Sequence, residues 1–535
     1  MKRVLTKLTA LGLGAALGLG AATIADAQMA KKGGILEYVV PSNPPSYDAH
    51  QETTFGVIHP FSPMYSLLIR VNPENPSSPD FVCDLCEGSI PEPTDGGKTY
   101  TFKIRTGVKF HDGTPLSSAD VKASLDKIVF PPEGVPSSRK AFFSMVDTIE
   151  APDPTTLLIR LKYPTGAFMP AMATPFNWIY SKKDLDEHGY EWHKTNVNGT
   201  GPFKFVRHEA GAYIEGARYD GYHHKGQPYL DGYKAIIAPK MAVRLQAIRG
   251  DRAAIEFRGF PPKARDDLVA ALGDQITVQE SDWNCGNLIG FNHLVKPFDD
   301  VRVRRALTLA VDRWGGSDYI SQIAIVKTVG GIVFPNHPLA ATKAELEQMV
   351  GYWPDIKKSR EEAKRLLKEA GQENLKFDLH NRAVDQPYKI VGTWLIDQWR
   401  QIGLEVTQKA VPTAQWYDKF RKTKDYQVGV EAACQSVVNP IADVAKYLCG
   451  EYNNYTHCDD PKPREILEVM SREPEPTKQR ELMRQYETVV LDTGAHSAHA
   501  LWWYKINPHR SYVKGWKIAP SHYLNQQLDT VWLDK

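Results

Sequence analysis

Apolar and polar side chains alternate at several places along the chain, and this alternation predicts β-strands. Residues 99–105 read Thr-Tyr-Thr-Phe-Lys-Ile-Arg, which is typical of a half-buried strand. Shorter alternating or apolar runs predict strands at 35–40 and 404–411, and 199–240 forms a longer strand-rich block. The last stretch, 499–535, returns to strands with many aromatic residues.

Apolar positions spaced by three and four residues predict helices between these strands. Ser117 with Asp120 has the spacing of a capping box and predicts a helix that begins there. We expect Asp299 to cap the helix predicted at 301–311, and Ser359 with Glu362 to form the N-terminal cap of another helix. The other helices are predicted at 242–249, 263–272 and 391–402. Because helices and strands mix throughout, the sequence favours α/β domains.

The N-terminus has the pattern of an export signal. Basic residues precede an apolar run at 8–24, which closes on the small-x-small triplet Ala25-Asp26-Ala27. An uncleaved membrane anchor is the alternative, although the run is short and interrupted by glycines. Because Gln28 rather than a cysteine would follow the cut, no lipid anchor is expected. Residues 1–27 are therefore predicted to be a Sec-type signal peptide that sends the chain to the periplasm of a Gram-negative bacterium.

Charge and length narrow the function further. The chain has 535 residues, with 65 Lys and Arg against 63 Asp and Glu. Without the signal the two signs balance, and no basic block offers a footprint for nucleic acid. A chain of this length is expected to form two or more domains. We expect a monomer.

Six cysteines are expected to form disulfides in an oxidising compartment. Cys83 and Cys86 form a CxxC that precedes a proline-rich turn, which favours a local disulfide over a redox site. Cys449 and Cys458 flank a polar loop and would staple it. Cys285 and Cys434 then remain to pair by elimination, although sequence alone establishes none of these connections.

Motifs for catalysis and cofactors are incomplete. Gly97-Lys98-Thr99 resembles the end of a P-loop, but Glu92 stands where the first glycine is required. His208-Glu209 lacks the second histidine of a zinc protease, and His223-His224 offers too few ligands for a metal site. No cofactor, no metal and no catalytic residue is predicted. An exported chain of several domains without such chemistry has the profile of a binding protein.

Several segments resemble one family, the bacterial extracellular solute-binding proteins of family 5, which serve ABC importers for peptides, nickel and related ligands. The resemblance spans nearly the whole mature chain. The segments that carry it are Thr99 to Arg105, Gly107 to Gly113, Ser118 to Val121, Gly199 to Phe203, Pro297 to Leu307, Glu362 to Gly371 and Val531 to Leu533.

The resemblance implies a two-lobed periplasmic binding protein of type II, with an extra domain in lobe 1 and a hinge of two crossing strands. Ligand would be enclosed as the lobes close, and the closed protein would dock on the transmembrane subunits of an ABC permease. The implied limits are 28–66, 195–283 and 505–535 for domain I, 67–194 for domain II and 284–504 for domain III.

The ligand is less clear than the fold. Peptide-binding relatives hold the ligand's amino group with an Asp, usually beside an Asp-Pro pair. Here Asn439 precedes Pro440, and the next carboxylate is Asp443. Because a buried ammonium without a carboxylate is costly, a free peptide N-terminus is a doubtful ligand.

Arg382 lies where dipeptide binders place an Arg that binds carboxylate, so it is a candidate for holding an anionic group. The alternative, to which we give the same weight, is that Arg382 lies on the surface of a lobe and contacts no ligand. If Arg382 contacts an anionic solute, Arg382→Ala should weaken binding by roughly 2–4 kcal/mol. The other candidate ligand residues flank the expected crossings or the lobe 2 cleft, with core packing as their alternative; they are Trp283, Asn284, Asn287, Trp416, Tyr417, Cys434 and Trp502.

Three functions remain open. The favoured one is capture of an organic solute, such as a modified peptide, an opine, an oligosaccharide or an aromatic compound, for an ABC importer. A receptor for a metal or metal chelate would need convergent histidines, which the sequence does not reveal. An exported hydrolase is the third, since catalytic groups can lie far apart in sequence.

Overall fold

The computed structural model describes residues 29–77, 80–436, 438–521 and 526–535. The signal peptide predicted for 1–27 lies outside these ranges. Among the helices of the described ranges, none has the length and apolar character needed to cross a bilayer.

The described residues form seventeen strands, and pairing between them defines the sheets. In chain order, β1 to β17 are Ile35–Val40, Ile69–Val71, Phe81–Cys83, Thr99–Lys103, Val146–Asp153, Thr156–Leu161, Phe203–Glu209, Tyr213–Arg218, Gly232–Ile237, Ile276–Phe291, Val326–Thr328, Lys376–Arg382, Glu405–Val411, Val428–Cys434, Ser497–Arg510, Val513–Lys514 and Trp532–Leu533.

Helices separate most of these strands. In chain order, α1 to α14 are Phe55–Phe61, Ser118–Val129, Phe168–Met172, Lys182–His188, Met241–Arg249, Pro262–Leu272, Val301–Leu309, Arg313–Ile320, Lys343–Leu346, Ile356–Glu369, Ile390–Arg400, Thr413–Asp418, Lys462–Arg472 and Pro476–Thr488.

Two lobes share the chain. We use lobe 1 as the name for α1–α6, β1–β9, β16 and β17, and lobe 2 as the name for α7–α14 and β11–β14. The main sheet of lobe 1 has the order β1-β9-β8-β7, in which β1 is parallel to β9 and the other pairs are antiparallel. Its core buries large aromatic side chains, among them Tyr38, Phe61, Trp178 and Tyr233. Burial of this much apolar surface holds the lobe together.

A three-stranded antiparallel sheet of order β4-β6-β5 forms a further part of lobe 1. The alternating segment predicted at 99–105 is β4, with Tyr100 and Phe102 buried against the neighbouring core. Helix α2 packs on this sheet and begins with the predicted capping box, since Ser117 and Asp120 each bond the other's backbone. The local sequence alone specifies this helix start.

Lobe 2 has a six-stranded mixed sheet of order β11-β15-β10-β14-β12-β13, with helices such as α7, α10 and α11 packed around it. The predicted start of α7 is wrong by one residue: the side chain of Asp300, not Asp299, accepts the backbone N–H of Arg302.

The predicted start of α10 at Ser359 is also wrong. Asp355 caps the helix by accepting the N–H groups of Lys357 and Lys358. Ser359 is buried inside the helix and donates to the Leu309 carbonyl on a neighbouring helix. Ser359 and Glu362 have the spacing of a capping box, but Asp355, one turn earlier, is the residue that caps the helix.

Strands β10 and β15 are the longest of the described strands and join the lobes. They pair antiparallel from Ile276↔Arg510 to Gly290↔Ser497. Near one end Asn507 donates to Glu256 of lobe 1 at 2.6 Å, and near the other β10 pairs with β14 of lobe 2. Two crossing strands between the lobes are what a hinge requires. The domain limits given above stay predictions.

The three predicted disulfides are confirmed: Cys83–Cys86, Cys285–Cys434 and Cys449–Cys458. Cys285 and Cys434 lie directly opposite each other on the antiparallel strands β10 and β14. This bond therefore ties two central strands of lobe 2, while the other two close short local loops.

Candidate ligand site between the lobes

A small cavity lies between the lobes. Lobe 1 contributes Thr53, Phe55, Ser138 and Arg139 to its lining, and lobe 2 contributes Arg382, Tyr388, Cys434, Asp443 and Lys446. The space measures about 50 Å³, which is room for a few water molecules only. The lobes are therefore closed on each other, and a solute would have to enter with the lobes apart.

Direct bonds between the lobes keep the cavity shut. Arg421 of lobe 2 pairs with Glu52 of lobe 1 at 3.2 Å, and both side chains are buried. Arg421 also donates to Thr53 and Ser138, which line the cavity. Thr53 Oγ1 donates to the Tyr417 hydroxyl at 3.3 Å. A more open groove of about 470 Å³, lined by Glu52, Arg421 and Tyr417, adjoins the cavity here.

Arg382 is part of a buried ion pair at the cavity wall. It ends β12 and donates through Nη2 to Glu431 Oε1 on β14, at 3.0 Å. Its Nη1 donates to Thr54 Oγ1 of lobe 1 at 2.8 Å, and Tyr388 accepts a further bond from Nη2. Trp416 Nε1 donates to the other oxygen of Glu431 at 2.9 Å. The guanidinium thus links two strands of lobe 2 to lobe 1.

The charges of this pair are stabilised by each other. Burial alone would raise the pKa of Glu431, but the Arg382 guanidinium and Lys446 lower it, and the net shift is downward. Burial lowers the pKa of Arg382, but Glu431 and the neighbouring tyrosines Tyr388, Tyr417 and Tyr455 together raise it by more, so the net shift is upward. Both groups are therefore ionised, which is the condition for a stable buried pair.

Asp443 and Lys446 face the cavity from a short 3-10 helix, Asp443–Tyr447. Burial raises the pKa of Asp443 to about 8. Burial lowers the pKa of Lys446 to about 7, against the opposing attraction of Glu431. Neither group has the strong partner that Arg382 has, so both charge states respond to whatever enters the cavity.

The predicted site residues separate into two groups. Arg382 and Cys434 line the cavity, and Tyr417 lines the adjoining groove. The others are buried within the protein: Trp283 packs on Trp503, Asn287 accepts from Trp503 Nε1 at 2.9 Å, and Trp502 donates to Gly331. The remaining two are Asn284, which bonds Pro520 and Gln435 through its backbone, and Trp416. Whether any of them contacts ligand stays a prediction.

Sequence reasoning did not propose Arg139, Asp443 or Lys446 as site residues. Arg139 lies in a loop of lobe 1 that carries no recognisable motif, and only the folded structure brings it to the cavity. Asp443 and Lys446 had one available signal: they follow the segment 431–440 closely and are spaced by one 3-10 turn.

Among the described residues, metal-ligating side chains converge around Asp84. Asp84 Oδ1 accepts bonds from His223 Nε2 at 2.9 Å and from His224 Nε2 at 3.0 Å. None of these three residues is among those that line the cavity between the lobes. Cys449, Cys458 and His496 also cluster, but the two cysteines are joined in a disulfide and have no thiolate to offer a metal.

Residues 81–454 match the model of the bacterial extracellular solute-binding proteins, family 5 Middle. The chain belongs to this family. As a family 5 protein it is similar to the glutathione-binding protein GsiB of Escherichia coli K12, with 30% identity over 333 residues that make up 60% of each chain. GsiB of Pectobacterium atrosepticum is 30% identical over 329 residues, 60% of this chain and 59% of the relative. The family is one of extracellular binding proteins.

Solved structures of other binding proteins share the fold. The Haemophilus influenzae OppA complex with the peptide RPPGFSPFR has a TM-score of 0.83 at 18% identity. The match covers 94% of this chain and 100% of OppA. AgaA of A. tumefaciens R10 in complex with agropinic acid has a TM-score of 0.80 at 21% identity, covering 94% and 99%. The predicted fold class, a two-lobed α/β periplasmic binding protein, is confirmed.

Proposed function

We propose that this chain is the periplasmic substrate-binding component of an ABC importer. It captures an organic solute between its two lobes and presents the closed complex to the transmembrane subunits of a permease. It releases the solute chemically unchanged and is not an enzyme. The observation that carries this proposal is the cavity enclosed between two lobes that are joined by β10 and β15.

The charges at the cavity favour a solute with an anionic group. Arg139, Arg382 and Lys446 line it, with Asp443 as the one carboxyl among the described lining residues. In a closed cleft, exclusion of water strengthens the attraction between such cations and an anion. The relatives named for binding glutathione support a peptide-like anion, and AgaA, which was solved with an opine, supports a small modified amino acid.

A thermal-shift screen with recovery of the ligand tests this function. The panel contains glutathione, agropinic acid, short peptides, a neutral oligosaccharide and Ni²⁺. A solute at 100 times its dissociation constant adds about 2.7 kcal/mol to the stability, so a true ligand gives a clear rise in melting temperature. Mass spectrometry of the protein as purified identifies any solute that it carries already.

The outcomes separate the three candidate functions. A rise with an organic anion that is recovered unchanged supports the importer component. A rise with Ni²⁺ alone would favour the metal receptor, and the variant His223→Ala would show whether the Asp84 cluster is responsible. Recovery of a chemically converted solute would show an enzyme and contradict the proposal.

A further inference from the structure

One turn of 3-10 helix brings an acidic and a basic side chain to the cavity. Asp443 and Lys446 are three residues apart in the helix Asp443–Tyr447, and three residues make one turn of such a helix. Their side chains therefore leave the helix on the same side, and both line the cavity between the lobes. A ligand group in the cavity would meet both side chains at once.

One oxygen of the Asp443 carboxyl has no hydrogen-bond donor beside it among the described residues. Asp443 is only 3% exposed. Its Oδ2 accepts the backbone N–H of Ser436 at 2.8 Å, while Oδ1 has no hydrogen-bond partner within the described residues. A buried carboxyl oxygen without a donor is costly, so the site gains from a ligand that supplies one.

The Lys446 ammonium, in turn, has donors to spare for an anion. Its Nζ donates to the Ala432 carbonyl and lies 4.6 Å from the centre of the Tyr455 ring. Among the described residues, no carboxylate lies within ion-pair distance of it. An ammonium group has three donors, and a carboxylate from a ligand would satisfy the others with a charge-assisted bond.

We infer that this turn recognises an amino-acid head group, in which the ammonium and the carboxylate sit on one carbon. The relatives that are named for binding glutathione point to a γ-glutamyl peptide as the ligand that carries this head group. The ligand's ammonium would donate to Asp443 Oδ1, and its carboxylate would accept from Lys446 Nζ. The inference rests on the proposed function and specifies the ligand of the same cavity. Asp443 thus supplies the carboxylate that the segment at Asn439-Pro440 lacks.

The linkage of the peptide decides whether both contacts form. In a γ-linked glutamyl peptide the α-ammonium and the α-carboxylate are both free. In the α-linked isomer the same carboxylate is consumed in a neutral amide, so Lys446 would have no anion beside the bound ammonium. The two isomers have the same atoms and the same net charge, so a difference in affinity reports the geometry of the head group.

Isothermal titration calorimetry with glutathione and with α-Glu-Cys-Gly tests the inference. The wild-type protein is expected to bind glutathione at least about tenfold more tightly than the isomer, since truncating one partner of a buried charge pair costs more than that factor. Lys446→Met should remove most of this preference while both isomers still bind. Asp443→Asn should weaken both isomers by at least about tenfold.

Matched controls are available on the same lobe. Lys376 and Glu405 form an exposed ion pair between β12 and β13, so Lys376→Met and Glu405→Gln change the same kinds of charge away from the cavity. Thermal unfolding of each ligand-free variant verifies that it is folded. These controls should keep the wild-type affinity and the wild-type preference.

Three results would overturn the inference. These are equal affinity for the two isomers, a preference that survives Lys446→Met, and no binding of glutathione at all. If glutathione fails while another organic solute of the thermal-shift panel binds, the inference is wrong and the proposed function stands. If no solute binds and none co-purifies, the proposed function itself fails.

Discussion

At the scale of single residues, Arg382 shows how one side chain serves two purposes. Sequence reasoning placed it as a partner for an anionic ligand, and the structure places it at the cavity, already paired with Glu431 and bonded to Thr54 of the other lobe. A residue in this position supports the shape of the site whether or not it also contacts the solute.

Arg382→Ala is expected to lower the free energy of unfolding by about 3–5 kcal/mol, because Glu431 would remain buried without its partner. Replacing both, as Arg382→Met with Glu431→Gln, should recover much of this loss, since an unpaired charge no longer remains. Urea denaturation monitored by circular dichroism measures both values.

Arg400→Ala is the control for this measurement. Arg400 and Asp397 form an exposed pair on lobe 2 at 3.8 Å, and such pairs contribute less than about 1 kcal/mol. If Arg382→Ala costs no more than this control, the buried pair does not stabilise the site as argued.

At the scale of elements, local sequence predicted the kinds of element better than their ends. The alternation at 99–105 and the capping box at Ser117 describe β4 and α2 correctly. Asp299 and Ser359 were wrong as caps because the neighbouring carboxylates of Asp300 and Asp355 take that role. Short-range patterns offer several suitable residues within one turn, and packing selects among them.

The disulfides differ in what they constrain. Cys285 and Cys434 are separated by 149 residues, and Cys449 and Cys458 by 9. In the chain-entropy model the longer loop should contribute roughly 5 kcal/mol and the shorter roughly 2.5 kcal/mol. We therefore expect the double variant Cys285→Ala, Cys434→Ala to unfold at lower urea than Cys449→Ala, Cys458→Ala. The reverse order would show that loop closure is not the main contribution.

At the scale of the whole molecule, closure of the lobes is the event that matters. Lobe 1 and lobe 2 meet through Arg421 with Glu52 and Thr53 with Tyr417, and one apolar cluster extends from Phe102 of lobe 1 to Phe420 of lobe 2. These contacts can form only when the lobes are together, so they define the closed state energetically.

Small-angle scattering should detect this closure. A compact chain of this length has a radius of gyration of about 24 Å, and we expect a larger value without ligand than with saturating ligand. Arg421→Ala, which removes the ion pair with Glu52, should require more ligand to reach the compact form. Identical scattering curves with and without a ligand known to bind would contradict a closing hinge.

How much of the site was predictable differs from how much of the fold was. Arg382 could be proposed because it lies in the segment where the dipeptide binders place an arginine that binds carboxylate. Arg139 could not, because its contact with the cavity depends on lobe 1 meeting lobe 2. Asp443 and Lys446 are close in sequence to Cys434, but only the 3-10 turn shows that they point the same way.

The sequence by itself determined the family and the alternation of helices and strands, because these follow from local periodicity and motifs. It favoured one set of cysteine pairs, and the structure established that set. Only the tertiary structure decided which charges share the cavity and which aromatic residues are core. The physical reason is that the partners of a buried charge, and the strength of its interactions with them, depend on groups that can lie hundreds of residues away in sequence. Arg382 and Thr54 are such a pair, and no local sequence pattern reveals which distant residues come into contact.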